Sequence, residues 1–171
     1  GELICLQVER VIYHIHLTQL IRLSDVMNDI FGIPDGKLAT DPLREGSELY
    51  PLYLEGVEKQ EWEDFLAWVY RAEFVPVKSD VHRERLYLSL LKLSARWEIS
   101  SGVAYAIDAL EKLNLPAVRQ LELARMYTLG DWVQPAVKVI LASPLSKLGD
   151  GELSQLGLKV YSLLVRAKEK M

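Results

Sequence analysis

The hydrophobic period changes once, early, and the change dictates what this chain can build first. Over Ile12-Tyr13-His14-Ile15-His16 apolar and polar residues alternate, the pattern of a half-buried strand. From Leu17 the repeat lengthens. Leu20, Leu23, Met27 and Ile30 or Phe31 fall on one helical face, with Gln19, Arg22, Asp25 and Asn28 opposite. A strand therefore runs directly into an amphipathic helix, with the junction at about His16.

Helical stripes dominate after residue 58. Trp62, Phe65, Leu66 and Val69 share a face, as do Leu86, Leu90, Leu93 and Trp97. Val103, Ile107 and Leu110 form a third stripe, and Val133, Ala136, Val137 and Ile140 a fourth. Leu153, Leu156, Val160, Leu163 and Ala167 form the last. Breaks separate them. Ser100-Ser101-Gly102 offers a serine N-cap, Asn114 to Pro116 interrupts the chain, Asp131 and Asp150 are placed as N-caps, and Ser143-Pro144 is a stop. Two irregular regions are expected, Pro34 to Ser47 and Arg71 to His82. The sequence shows no internal repeat. A small sheet followed by amphipathic helices is an α+β arrangement, in which each apolar face needs a partner.

In that order, the motifs resemble a family. Tyr13, Ile15, His16, Leu20, Ser24, Val26 and Phe31 match the opening of a BTB/POZ domain, with Met27 and Ile30 as apolar replacements. Leu3 to Glu9 looks like its first strand, which makes Glu9-Arg10 the turn of a hairpin although neither residue is a favoured turn former. Leu54 to Tyr70, Leu90 to Ile99 and Val103 to Leu110 resemble its next strand and helices. Leu121 to Ala136 and Leu153 to Leu158 are similar to the helical extension of BTB proteins expanded in basidiomycete fungi. The resemblance implies an α/β (α+β) BTB/POZ domain over 1–113 and an all-α extension over 114–171 packed on it. It implies a protein–protein interaction module that associates with itself or with a partner, including service as a substrate adaptor for a cullin-3 ubiquitin ligase. The partner-binding residues expected are Gln19, Arg22, Leu23, Val26 and Met27. Dimeric members often carry an element ahead of the first strand. Here that strand starts within two or three residues of Gly1, so a monomer or weak homodimer is expected. The opening Gly, in place of Met, points to a processed or excised segment.

Composition narrows the alternatives. The formal charge is −4 and the pI about 5.5, so no basic field for nucleic acid is present. No apolar run reaches the length of a membrane span, and no signal peptide opens the chain. The single Cys5 excludes an intramolecular disulfide and suits a reducing compartment, the cytoplasm or nucleus. No cofactor or metal is expected. His14 and His16 share a strand face, but only His82 and Cys5 remain as further soft ligands. His16 is expected to cap or orient the first helix, with His14 solvated and His82 in a loop. Glu61, Glu63 and Asp64 read as a solvated helix face. No nucleophile motif or phosphate loop is found, so the chain is not expected to be an enzyme. The rival is a ligand-binding or enzymatic protein on the same fold, with a pocket lined by Tyr50, Tyr53, Tyr105 or Tyr127 and His16 or Asp64. Trp68 lies off its helix's apolar face, either core or interface anchor.

Overall fold

The computed structural model describes residues 2–33, 40–71 and 80–171. The chain divides into two compact units, Gly1–Leu113 and Asn114–Met171. The first is mixed α+β and the second is helical.

The first unit opens with β1 (Leu3–Val8) and β2 (Val11–His16), antiparallel from Leu3↔His16 to Val8↔Val11. Glu9 closes the hairpin at φ 54°, a left-handed conformation that a glycine would adopt more easily. The third strand, β3 (Leu52–Tyr53), pairs parallel to β1 through Leu6↔Leu52, which gives the order β2-β1-β3. Ile4, Leu6 and Val8 point to the buried face of the sheet, together with Ile15.

The single helix expected after β2 is two. α1 (Leu17–Ile21) stops at Arg22, and α2 (Asp25–Phe31) restarts beyond an extended Ser24. Ser24 Oγ accepts from Met27 N–H at 3.0 Å and donates to the Trp97 carbonyl at 2.7 Å. The elbow thus exists because a serine caps the second helix and ties it to a distant helix end. The apolar period runs through the break unaltered, so period alone could not reveal it.

α3 (Lys59–Val69), α4 (Asp80–Arg96) and α5 (Ser100–Glu111) complete the unit. Its core is aromatic. Trp62, Phe65, Trp97 and Phe31 are all at most 3% exposed. Trp97 meets Trp62 edge-on at 6.0 Å, Phe65 at 5.5 Å and Phe31 at 6.4 Å between ring centres. Trp68 is half-buried, tilted against Phe65 and Tyr105, so it packs within this unit. Residues 72–79 and 34–39, parts of the two expected irregular regions, lie outside the described residues. Between them and the flanking elements, residues 40–50 are held by defined bonds: Leu43 N–H to Asp41 Oδ1, Ser47 Oγ to the Pro42 carbonyl, and Cys5 N–H to the Gly46 carbonyl at 2.7 Å. Gly46 sits at φ 90°, and a side chain there would run into Ile4. His82, expected in a loop, is on α4.

The second unit contains α6 (Ala117–Met126), α7 (Gly130–Leu141), a 3-10 turn at Leu145–Lys147 and α8 (Asp150–Glu169). Val118, Leu121, Ala136, Ile140, Leu156 and Leu164 build its core. Gly157, at φ 78°, breaks α8, and Arg125 Nη1 donates to the Leu156 carbonyl at 3.2 Å. The break changes the helical phase. Leu164 therefore turns inward and Leu163, expected in the stripe, is 53% exposed.

A repeat that the sequence does not announce appears here. α4 and α5 are joined by Trp97-Glu98-Ile99, and α6 and α7 by Tyr127-Thr128-Leu129, thirty residues later. In each, the middle residue is left-handed, at φ 53° and 57°. In each, the third residue's N–H reaches back five residues at 2.8 Å, Ile99 to the Ser94 carbonyl and Leu129 to the Ala124 carbonyl. Buried positions coincide as well: Leu91 with Leu121, Leu93 with Leu123, Ser94 with Ala124, Gly102 with Trp132, Ala106 with Ala136, and Leu110 with Ile140. The two hairpins share geometry with few identical side chains. The helix starts expected from capping residues shift by one or more positions. Ile99, Leu129 and Gly149 occupy the N-cap positions, and Ser100, Asp131 and Asp150 fall inside the first turn.

Candidate partner-binding surface

The α1–α2 elbow presents four of the five expected partner-binding residues. Arg22 is exposed, and Gln19, Leu23 and Val26 are half-buried. Arg22 Nη2 donates to Gln19 Oε1 at 2.8 Å, which fixes this polar pair on one side of the elbow. Met27 does not join them. It is 0% exposed, turned into the core beside Phe31, so the expectation that it contacts a partner is corrected. The restart of the helix at Ser24 is the reason: Met27 becomes the third residue of a short new helix, on its inward side. Ile30, 40% exposed, takes the apolar place on the outer face, next to the exposed Asn28 and Asp29 in the chain. The resulting surface is a small apolar ridge, Leu23, Val26 and Ile30, bordered by Arg22, Asp25 and Asp29.

The strand that leads into this surface is anchored from below. The His16 N–H donates to Tyr70 Oη at 3.0 Å, and His16 Nδ1 lies 3.1 Å from the same oxygen. His16 occupies the N-cap position of α1 without a side-chain cap bond, so it orients the junction through Tyr70. His14 is exposed, as expected. Tyr13 donates to Glu63 Oε1 at 2.9 Å and lies edge-on to Trp62. Burial, and then the Glu63 carboxylate, push the Tyr13 phenol up to about 12.

Asp64 is a second correction. It is 4% exposed, not part of a solvated face. Its carboxylate accepts from Ser89 Oγ at 2.9 Å, Gln60 Nε2 at 3.0 Å and Arg85 Nη2 at 3.4 Å, and Arg85 also meets His82 at 3.1 Å. A buried carboxylate satisfied this fully locks α3 to α4. Ser89 and Gln60 are the partners sequence reasoning missed. Glu61, by contrast, is bonded to Lys92 at 2.6 Å across the same helix pair.

Within the first unit, the residues named for the rival pocket have other surroundings. Tyr50 and Tyr53 are exposed, Tyr53 on β3. Tyr105 packs on Trp68 and Tyr87, and Asp64 is occupied as described. Among the described residues no three carboxylate, imidazole or thiol groups gather as a metal site, and no helix is long and apolar enough to cross a membrane. No protein-family model matches this chain, and no curated protein matches it in sequence.

Proposed function

We propose that this chain is a BTB/POZ-type protein-interaction module whose partner surface is the α1–α2 elbow. The observation that carries this reading is the hairpin β1–β2 running without a linker into a helix broken at Ser24, with its outer face left partly apolar. The order that follows, β3, α3 and then the helices α4 and α5, is the order the sequence resemblance implies for such a domain. The helical second unit corresponds to the extension in the same resemblance. The module takes a second copy of itself or a cullin-3-like scaffold, in the cytoplasm or nucleus. Its helical extension is then free to hold a substrate protein. The reading assigns the chain no catalytic step and no cofactor.

The ridge is small, so its contribution to affinity concentrates in a few side chains. Titration calorimetry of the purified chain against a cullin-3 N-terminal domain tests the adaptor role, with light scattering on a sizing column alongside. Micromolar or tighter binding, weakened at least tenfold by Val26→Asp in a protein that keeps its melting temperature, is the expected result. A well-folded sample that binds no cullin and elutes as a monomer would remove both named partners.

A further inference from the structure

Charge is divided unevenly between the two units. Residues 1–113 hold 12 Lys and Arg against 19 Asp and Glu, whereas residues 114–171 hold 8 against 5, so the first unit is acidic and the second basic. In the second unit the excess lies on one helix face. Beyond the break at Gly157, Lys159, Leu163, Arg166 and Lys170 are all exposed, at the i, i+4, i+7 and i+11 spacing of a single stripe. Leu164 points the other way, into the core. Among the described residues, none of these three cations is in an ion pair. The first unit carries a complement in residues 43–53. Leu43, Leu49, Tyr50 and Tyr53 are between 53% and 69% exposed there. Glu45 and Glu48 stand in the same stretch, exposed and without ion pairs among the described residues, and its one cation, Arg44, is buried. The stretch is held in place, because the Gly46 N–H donates to the Tyr50 carbonyl and the Cys5 N–H to the Gly46 carbonyl, both at 2.7 Å. Large apolar side chains standing in water beside unpaired carboxylates suit a basic, partly apolar partner.

We propose that the α8 stripe of one molecule docks on the 43–53 patch of a second copy. Lys159, Arg166 and Lys170 bring the positive charge that Glu45 and Glu48 lack, and cations also favour the ring faces of Tyr50 and Tyr53. Leu163 supplies the apolar centre of the stripe against Leu49. One chain carries both halves of the contact, so the partner is present wherever the protein is. The two surfaces differ, which makes the contact heterologous: a pair still has one free stripe and one free patch. Copies therefore add in line or close into a ring, and do not stop at a twofold dimer. The contact uses neither α1 nor α2 and stands independently of the elbow as a partner surface.

Sedimentation equilibrium is measured on the full chain and, to remove the elbow, on Val26→Asp. In both, the mass at low salt is expected to rise with concentration above the 19.5 kDa of one chain. Raising the salt to about 1 M is expected to weaken association at least tenfold, because the charges that meet are exposed. Two charge reversals follow, Lys159→Glu with Arg166→Glu, and Glu45→Lys with Glu48→Lys. All four positions are exposed, so each double variant is expected to melt with the parent and to stay at the monomer mass. Mixed in equal amounts, the two are expected to associate again, since each reversed surface then meets its complement. A parent that stays monomeric at submillimolar concentration overturns the proposal. So does association that ignores salt or either reversal, or a mixture that stays monomeric. Association lost in Val26→Asp would belong to the elbow and would overturn it as well.

Discussion

Met27 and Val26 are neighbours in sequence with opposite duties. Met27 is fully enclosed and Val26 half-buried on the outer face of α2. Placing a carboxylate at 27 buries an unpaired charge and costs about 4 kcal/mol or more. Met27→Asp is therefore expected to unfold the first unit, seen as loss of its near-ultraviolet circular dichroism, while Val26→Asp leaves that signal intact. A folded Met27→Asp protein would mean α2 is turned the other way. Tyr13 supplies a pH test. Its folded pKa of about 12 stands above the ordinary 10, so the fold prefers the neutral phenol. The stabilisation is complete below pH 10 and is lost as pH rises toward 12. Tyr13→Phe is expected to cost about 1 kcal/mol at pH 8, the net worth of one hydrogen bond. Urea unfolding of the two proteins should converge above pH 11. A gap independent of pH would show that the Glu63 bond is not the cause.

Among the elements, the paired hairpins are informative because they differ at one buried position. Ser94 is 0% exposed with no partner for its hydroxyl, and its counterpart in the second hairpin is Ala124. Ser94→Ala is expected to hold stability or raise it by about 1 kcal/mol, since an unsatisfied buried hydroxyl is removed. Gly102 lies against Ser94 and the Trp68 ring, so Gly102→Ala forces α4 and α5 apart at a cost of roughly 1–3 kcal/mol. Denaturant midpoints of the two variants, and of the double variant, decide the matter. If Ser94→Ala were as damaging as Gly102→Ala, the serine would have a partner. This scale also shows what could be read beforehand. The strand β2, the junction at His16 and the stripes of α3, α4 and α7 followed from period, whereas β1, buried on both faces at Ile4, Cys5 and Leu6, followed only from the resemblance. The elbow at Ser24, the break at Gly157 and the repeat did not. Each depends on a bond to a distant residue or on a left-handed angle, and neither leaves a mark in hydrophobic spacing. At the candidate surface, the burial of Met27 was not legible, for that same reason.

In the whole chain there is one thiol, and it sits in the central strand of the sheet. Cys5 is 4% exposed, and its backbone is pinned to Gly46. Burial keeps it protonated, so a thiol reagent reaches a reactive thiolate only when the sheet opens. In the native protein its modification is expected to run at least a hundredfold slower than in urea and to track unfolding of the first unit. Reaction at the free-thiol rate would show that residues 40–50 leave β1 uncovered. Among the described residues, five that are not glycine, Glu9, Arg71, Glu98, Asn114 and Thr128, hold left-handed turns where glycine would be easier. Each forgoes up to about 1–2 kcal/mol that a single substitution could recover. A lineage carrying this fold thus has untapped tolerance at its corners, which can absorb the damage done when its binding faces diversify.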